Sequence, residues 1–177
     1  MKKNIKSFTL LMSLLLTVLF LSSCAADANE LQAVADKAVN LASKYAKQLD
    51  GAWGDQHAVM IESKDGGAFA GYESMRANLQ GFLAECDATY MYTLYPSGPI
   101  ENAPFFITLD ASDEPDDYGT EQEWEAGFAA AWKGTPTAAD DAWEDDDGDG
   151  LLLSAYAPVH DSKGNVVAIL GVDYPAQ

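Results

Sequence analysis

Apolar and polar positions along the chain follow two patterns in turn. From Asn29 to Leu49, Leu31, Val34, Ala35, Ala38, Leu41, Ala42, Tyr45 and Leu49 recur at steps of three and four. That period puts them on one face and predicts an amphipathic helix, which Asp50-Gly51 ends. A short irregular part comes next, with His57 to Ile61 as a single turn and Lys64-Asp65-Gly66-Gly67 as a loop. The helical period returns from Tyr72 to Glu85, with Met75, Leu79, Phe82 and Leu83 on one face.

Beyond residue 88 the pattern is that of strands. Thr89 to Tyr95 is rich in β-formers and stops at Pro96-Ser97-Gly98-Pro99, and Phe105 to Leu109 is a second strand. Residues 111–149 form an acidic excursion that carries one helix, about Glu121 to Trp132, and a short edge strand near Pro136 to Ala142. Leu151 to His160 and Val166 to Tyr174 are two long strands joined by Asp161-Ser162-Lys163-Gly164-Asn165, with glycine where a hairpin turn requires positive φ. In the last strand Val166, Ala168, Leu170 and Val172 point one way and Val167, Ile169 and Gly171 the other. A strand apolar on both faces is covered on both. The N-terminal helices are available for one face and the 111–149 excursion for the other. The expected fold is therefore α+β: an antiparallel sheet with helices on one side and a loop-and-helix lid on the second. A lid over a sheet is where a small ligand sits. No internal repeat or long linker divides 29–177, which is read as a single domain.

The longest apolar run lies before this domain. Lys2, Lys3 and Lys6 precede Phe8 to Leu21, a run broken only by Thr9, Ser13 and Thr17. Basic flank, short apolar stretch and small residues make a secretory signal, and the run is short of the roughly 20 residues of a spanning helix. Leu21-Ser22-Ser23-Cys24 resembles the lipobox of bacterial lipoproteins. The resemblance implies a signal segment 1–23, acylation of Cys24 (a diacylglyceryl or palmitate type of anchor) and a tether over 24–28. The domain would then face outside the cytoplasm, held to the cell membrane or an outer membrane by lipid alone. The alternative is an ordinary signal peptide with a chance cysteine.

Charge narrows the partners. The formal net charge is −18, and without the three signal lysines it is −21. Lys133 is the only basic residue between Asp110 and Asp149. Such a field repels phosphate backbones, so nucleic acid is excluded as a partner, and it repels anionic headgroups. The remaining cysteine, Cys86, reads as a small buried hydrophobe. His57 and His160 are the only histidines and no cysteine joins them, so no zinc site is expected. Asp145-Asp146-Asp147-Gly148-Asp149-Gly150 starts like a calcium loop, but the twelfth position is Tyr156 in a strand rather than an acid, so a solvated turn is the expected reading. No Gly-x-Ser-x-Gly, phosphate-cradling glycine loop or HExxH motif occurs, and neither an enzyme nor a cofactor is expected.

Three segments carry a further resemblance: Ala88 to Pro96, Phe105 to Asp110, and above all Leu152 to Asp173. They look like a Cache domain, the PAS-like extracytoplasmic sensor module of bacterial chemoreceptors and sensor kinases. The resemblance spans most of 29–177. It implies a sheet of about five strands behind a long first helix, and a small molecule bound between sheet and lid. Family members usually sit between membrane helices with a signalling module behind. None is expected here, so signalling would pass through a membrane receptor or kinase as partner.

The candidate site lies on the same face. Asp173 shares it with Ile169 and Gly171 and needs a compensating partner. In some Cache domains the matching acid holds a ligand amine; alternatively it accepts backbone N–H bonds from a loop. Ser154 and Tyr156 share a face of the neighbouring strand, and Tyr156 either closes the pocket or is core with a satisfied hydroxyl. Tyr92 and Asp110 carry over by position from the family, although Asp110 also suits a cap after its strand. Trp124, Phe128 and Trp132 form a four-residue stripe on the lid helix that serves as core, cage or both. Amino-acid-binding relatives clamp the ligand carboxylate with an arginine in this region, and none occurs from residue 77 onward. A cationic or neutral ligand is therefore expected, such as an amine, a quaternary ammonium or a nucleobase. The competing class is a structural or interaction lipoprotein that keeps the fold without a ligand; a hydrolase is a third.

Overall fold

The computed structural model describes residues 29–145, 148 and 150–176. The signal segment 1–23, Cys24 and the 24–28 tether lie outside the described residues, as do Asp146, Asp147 and Asp149 of the acidic turn. Contacts group the chain into two units, Met1–Ala33 and Val34–Gln177. Of the first, 29–33 are described and helical. The sheet and the remaining helices belong to the second.

Helix α1 occupies 34–49 of this second unit and ends at Leu49, where Asp50-Gly51 predicts the stop. Its buried stripe is Ala38, Ala42, Tyr45, Ala46 and Leu49, the spacing of one helical face. Gly51 takes φ 82°, a conformation that ends the helix at little steric cost. The next segment differs from expectation. Ala52–Ser63 is a full helix, α2, where sequence periodicity suggests a single turn. Its inner face is Gly54, His57 and Met60, so a polar ring stands where a period search looks for an apolar residue. Gly54 is needed there because a Cβ would run into the backbone carbonyl of His160. Helix α3 is Tyr72–Leu83, burying Met75 and Leu79.

Among the described residues, seven antiparallel strands follow: β1 Tyr90–Pro96, β2 Phe105–Asp110, β3 Glu121–Gln122, β4 Thr137–Ala138, β5 Trp143–Glu144, β6 Leu151–His160 and β7 Val166–Pro175. Their order is β3-β2-β1-β7-β6-β4, with β5 also on β6. Four of these are long, and the other three are two-residue pairings at the edges. The lid helix α4 is shorter than expected, Ala126–Trp132, because Glu121–Gln122 instead pairs with Phe105 and Phe106 of β2. The hairpin between β6 and β7 forms as expected, with Gly164 at φ 85° and the Asp161 carboxylate accepting from the Lys163 and Asn165 amides.

The sheet separates two cores. On the helix side Met91, Leu109, Ala155, Ala157, Val159, Ala168, Leu170 and Val172 pack with the inner faces of α1–α3. On the lid side Leu94, Phe105, Ile107, Phe128, Ala131, Tyr156 and Ile169 form a smaller cluster. The alternation of β7 and the covering of both faces are as the sequence pattern predicts. Each fully buried Leu, Ile or Phe contributes about 1.5–3 kcal/mol. Cys86 is only half-buried, unlike the expectation, with its Sγ 3.6 Å from the Leu83 carbonyl.

One irregularity bears on the site. β1 and β2 shift register between Thr93 and Leu94: Thr93 faces Leu109 but Leu94 faces Ile107. Thr108 is the extra residue of a bulge, which re-aims the residues after it. Ile107 belongs to the lid-side cluster, Leu109 to the helix-side core and Asp110 to the lid side again. The bulge is held from behind: Thr108 Oγ1 is 2.7 Å from Thr93 Oγ1 and 2.9 Å from Nε2 of His57. Burial lowers the His57 pKa to about 4, so the ring is neutral. Among the described residues, no helix is long and apolar enough to cross a membrane.

Candidate functional site

The lid face of the sheet carries two rows of polar side chains, set by strand register. Ser154 of β6 is opposite Asp173 of β7, which is opposite Tyr90 of β1. One step along, Tyr156, Gly171, Tyr92 and Asp110 lie across β6, β7, β1 and β2. Gly171 is the gap in the second row. A Cβ there would overlap the Tyr92 ring, so the glycine lets that ring lie flat across β7. Tyr92 thereby reaches its neighbour, and its hydroxyl donates to Oδ1 of Asp173 at 3.1 Å. Gly127 does the same from above: a Cβ would stand 2.8 Å from the Tyr156 ring, and without one α4 rests on it.

Over these rows lies a cleft of about 450 Å³. Tyr90, Tyr92, Asp110, Ser154, Tyr156 and Asp173 come from the sheet, Phe128 from α4, and Ser112, Glu114, Asp116, Gln122, Glu125, Trp143 and Asp145 from the excursion. Five of the sequence-chosen residues are thus together: Tyr92, Asp110, Ser154, Tyr156 and Asp173. The aromatic stripe is divided. Phe128 lines the cleft and packs edge-on to Tyr156, with centroids 4.7 Å apart. Trp132 stays outside it, edge-on to Tyr95 at 5.3 Å, in the aromatic part of the core. Trp124 precedes α4, lines the neighbouring groove, and donates its Nε1–H to the Ile100 carbonyl at 2.8 Å. The three are not one helical stripe, because the helix begins only at Ala126.

Tyr90, Glu125 and Trp143 are not among the residues the sequence singles out, and Asp145 is read there only as part of a solvated acidic turn. Tyr90 is available from alternation, two residues before Tyr92. The others sit on loops and two-residue strands, where no period marks them. Glu125 accepts the Tyr156 hydroxyl at 3.1 Å, Trp143 donates to Ser154 Oγ at 3.0 Å, and the Tyr90 hydroxyl is 3.4 Å from Asp145 Oδ1.

The carboxylates differ in kind. Asp110 is a cap: its two oxygens accept the Ser112 and Asp116 amides at 2.8 and 2.9 Å. Arg76 supports the same loop, donating to the carbonyls of Asp110 and Ser112, both at 2.7 Å. Asp173 is only 4 % exposed. Burial raises its carboxyl to about 6; hydrogen bonds from Ser154 and Tyr92 oppose this, and the charges of Glu125 and Asp110 add to it. Glu125 is also raised, by burial first, against the Tyr156 bond and with the Asp140 charge. Burial, then the nearby Asp173 charge, pushes Tyr92 well above the usual tyrosine range, so its hydroxyl stays a donor. Among the described residues that line the cleft, six are carboxylic acids, five are aromatic, and none is Lys, Arg or His. A cavity of that make-up, with low-dielectric walls, concentrates negative potential. It attracts a cation and repels carboxylates and phosphates. Among the described residues no group of three or more His, Cys, Asp or Glu is arranged to hold a metal ion.

No protein-family model and no curated protein matches the sequence. Similar solved structures include the ligand-binding domain of the Campylobacter jejuni chemoreceptor Tlp3 in complex with L-valine. It is 12 % identical, with a TM-score of 0.41, over 90 % of this chain and 62 % of that one. The periplasmic sensory domain of the Campylobacter jejuni chemoreceptor Tlp1 is 11 % identical, with a TM-score of 0.45, over 84 % of this chain and 56 % of that one. A methyl-accepting chemotaxis protein X is 17 % identical, with a TM-score of 0.29, over 97 % and 64 %. The chain thus spans less than two thirds of the length of each. A likeness this distant transfers no ligand or partner.

Proposed function

We propose that this chain is a lipid-anchored, extracytoplasmic sensor domain that binds a small organic cation between its sheet and its lid and acts through a membrane receptor or kinase. One observation carries the ligand class: a cleft of about 450 Å³ lined, among the described residues, by six carboxylic acids and five aromatics without a basic side chain. An ammonium or quaternary ammonium in it would meet aromatic faces and the buried Asp173 carboxylate together. Asp173 already has donors in Tyr92 and Ser154, so it is not an acid left without support. It nevertheless lacks a countercharge, which a cationic ligand would supply. The reading is of a binding domain rather than an enzyme. Anchoring rests on the Leu21-Ser22-Ser23-Cys24 motif.

The test is a thermal-shift screen of the full chain against amines, quaternary ammonium compounds, nucleobases, amino acids, dicarboxylates and phosphates. A specific binder raises the midpoint by mass action. Stabilisation confined to cationic compounds is expected. Stabilisation by dicarboxylates or phosphates alone would contradict the reading.

A further inference from the structure

Beside the cleft lies a groove of about 650 Å³ that the cation reading leaves unused. Its floor is made of small side chains, among them Ala126, Gly127 and Ala130 from α4. Trp124 and Trp143 line it, and they are two of the three large apolar side chains that the described residues leave exposed, at 40 % and 38 %. Both indoles are fixed by their N–H groups, Trp124 to the Ile100 carbonyl and Trp143 to Ser154 Oγ. With their donors used within the protein, they offer a ligand only ring surface, which suits methylene groups and cations. Asp140 and Asp141 also line the groove, and among the described residues no Lys, Arg or His does. Glu125, Trp143 and Ser154 line groove and cleft alike. The two are adjoining spaces with shared walls.

We propose that the groove is the second compartment of one site and that the ligand is a linear dication, two positive ends joined by an apolar chain. The proposal deepens, and rests on, the reading of the cleft as a cation site. One end sits over Asp173 in the cleft. The chain passes Trp143 and crosses the alanine floor, which would strip water from a polar spacer without replacing its hydrogen bonds. The far end meets Asp140 and Asp141 beside Trp124.

The experiment is calorimetric titration of the full chain with two matched series, n-alkyl monoamines and α,ω-diamines of stepped chain length. The readout is the affinity ratio of diamine to monoamine at equal length. A ratio of about ten or more at one intermediate length is expected, since the second end binds as an intramolecular event. In Trp124→Ala, and separately in the paired Asp140→Asn and Asp141→Asn variant, that ratio falls to about one. Residual monoamine binding reports that each variant is folded. Monoamines binding as well as diamines at every length would overturn the second compartment while leaving the cleft reading intact. An advantage that survives both variants would overturn it too. Failure of every amine to bind would remove the cleft reading itself.

Discussion

In the proposed function Asp173 is the residue on which cation binding turns, and its environment makes opposite demands in the free state and in the proposed bound state. Burial favours the protonated acid, raised to about 6, whereas a cation requires the carboxylate. An acid whose pKa is higher folded than unfolded holds its proton more tightly in the folded state, so its contribution to stability is greatest at low pH. It is lost as pH rises from the ordinary carboxylate range through about 6, by at most about 3 kcal/mol. Chemical denaturation of the free protein across pH 4–7 should show that fall, and Asp173→Asn should flatten it. Binding has the opposite slope. Affinity for a quaternary ammonium, whose own charge is fixed, should drop by up to about tenfold per pH unit below 6 as Asp173 takes up its proton. Glu125 and Asp116 are raised as well and act in the same direction. At pH 7 Asp173→Asn should weaken that ligand about 100-fold, the usual effect of removing one partner of a buried charge pair, without lowering the midpoint of the free protein. Alternation along β6 and β7 is enough to place Ser154, Tyr156 and Asp173 on one face. It does not place Asp110, which reaches the lid side only because the Thr108 bulge reverses the pattern after Ile107.

At the scale of elements, the site depends on how closely α4 and the loops approach the sheet. Gly127→Ala would press a methyl group against the Tyr156 ring, and the cost of shifting α4 is expected to be about 1–3 kcal/mol in urea unfolding. Arg76→Lys keeps the charge but gives up the paired donation to Asp110 and Ser112. It should loosen the 111–116 wall and weaken cation binding more than it lowers the melting midpoint, read by calorimetry and thermal unfolding side by side. The same elements show why part of the fold is not legible in the sequence. Long strands and α1 announce themselves because many residues share one period. Helix α2 does not, because its inner face is a glycine, a histidine and a methionine, and only the Thr93–Thr108–His57 contacts explain a buried imidazole there. The start of α4 is misplaced by periodicity because Trp124 fits a four-residue spacing by chance, whereas its indole is engaged with the Ile100 carbonyl outside the helix. No hydrophobic period marks Trp143 or Asp145 as lining the cleft, since two-residue pairings and turns are specified by tertiary contacts.

For the molecule as a whole, charge and address act together. A net charge of −18 gives a field that draws cations towards the cleft at low ionic strength. Association rates for a cationic ligand should therefore fall between low and physiological salt, more than dissociation rates rise. The proposed anchor has a simple check: Cys24→Ser should move the protein from the membrane fraction to the soluble fraction, with cation affinity unchanged. A tether of this kind holds the domain at a surface without carrying a conformational change through it, which is why a membrane partner belongs to the proposed function. The most direct measurement is a calorimetric titration at pH 7 of the full chain, and of Asp173→Asn, with a quaternary ammonium compound and with a dicarboxylate of similar size. The expected result is saturable binding of the cation, about 100-fold weaker in the variant, and no binding of the dicarboxylate. Dicarboxylate binding that is indifferent to Asp173 would contradict the account.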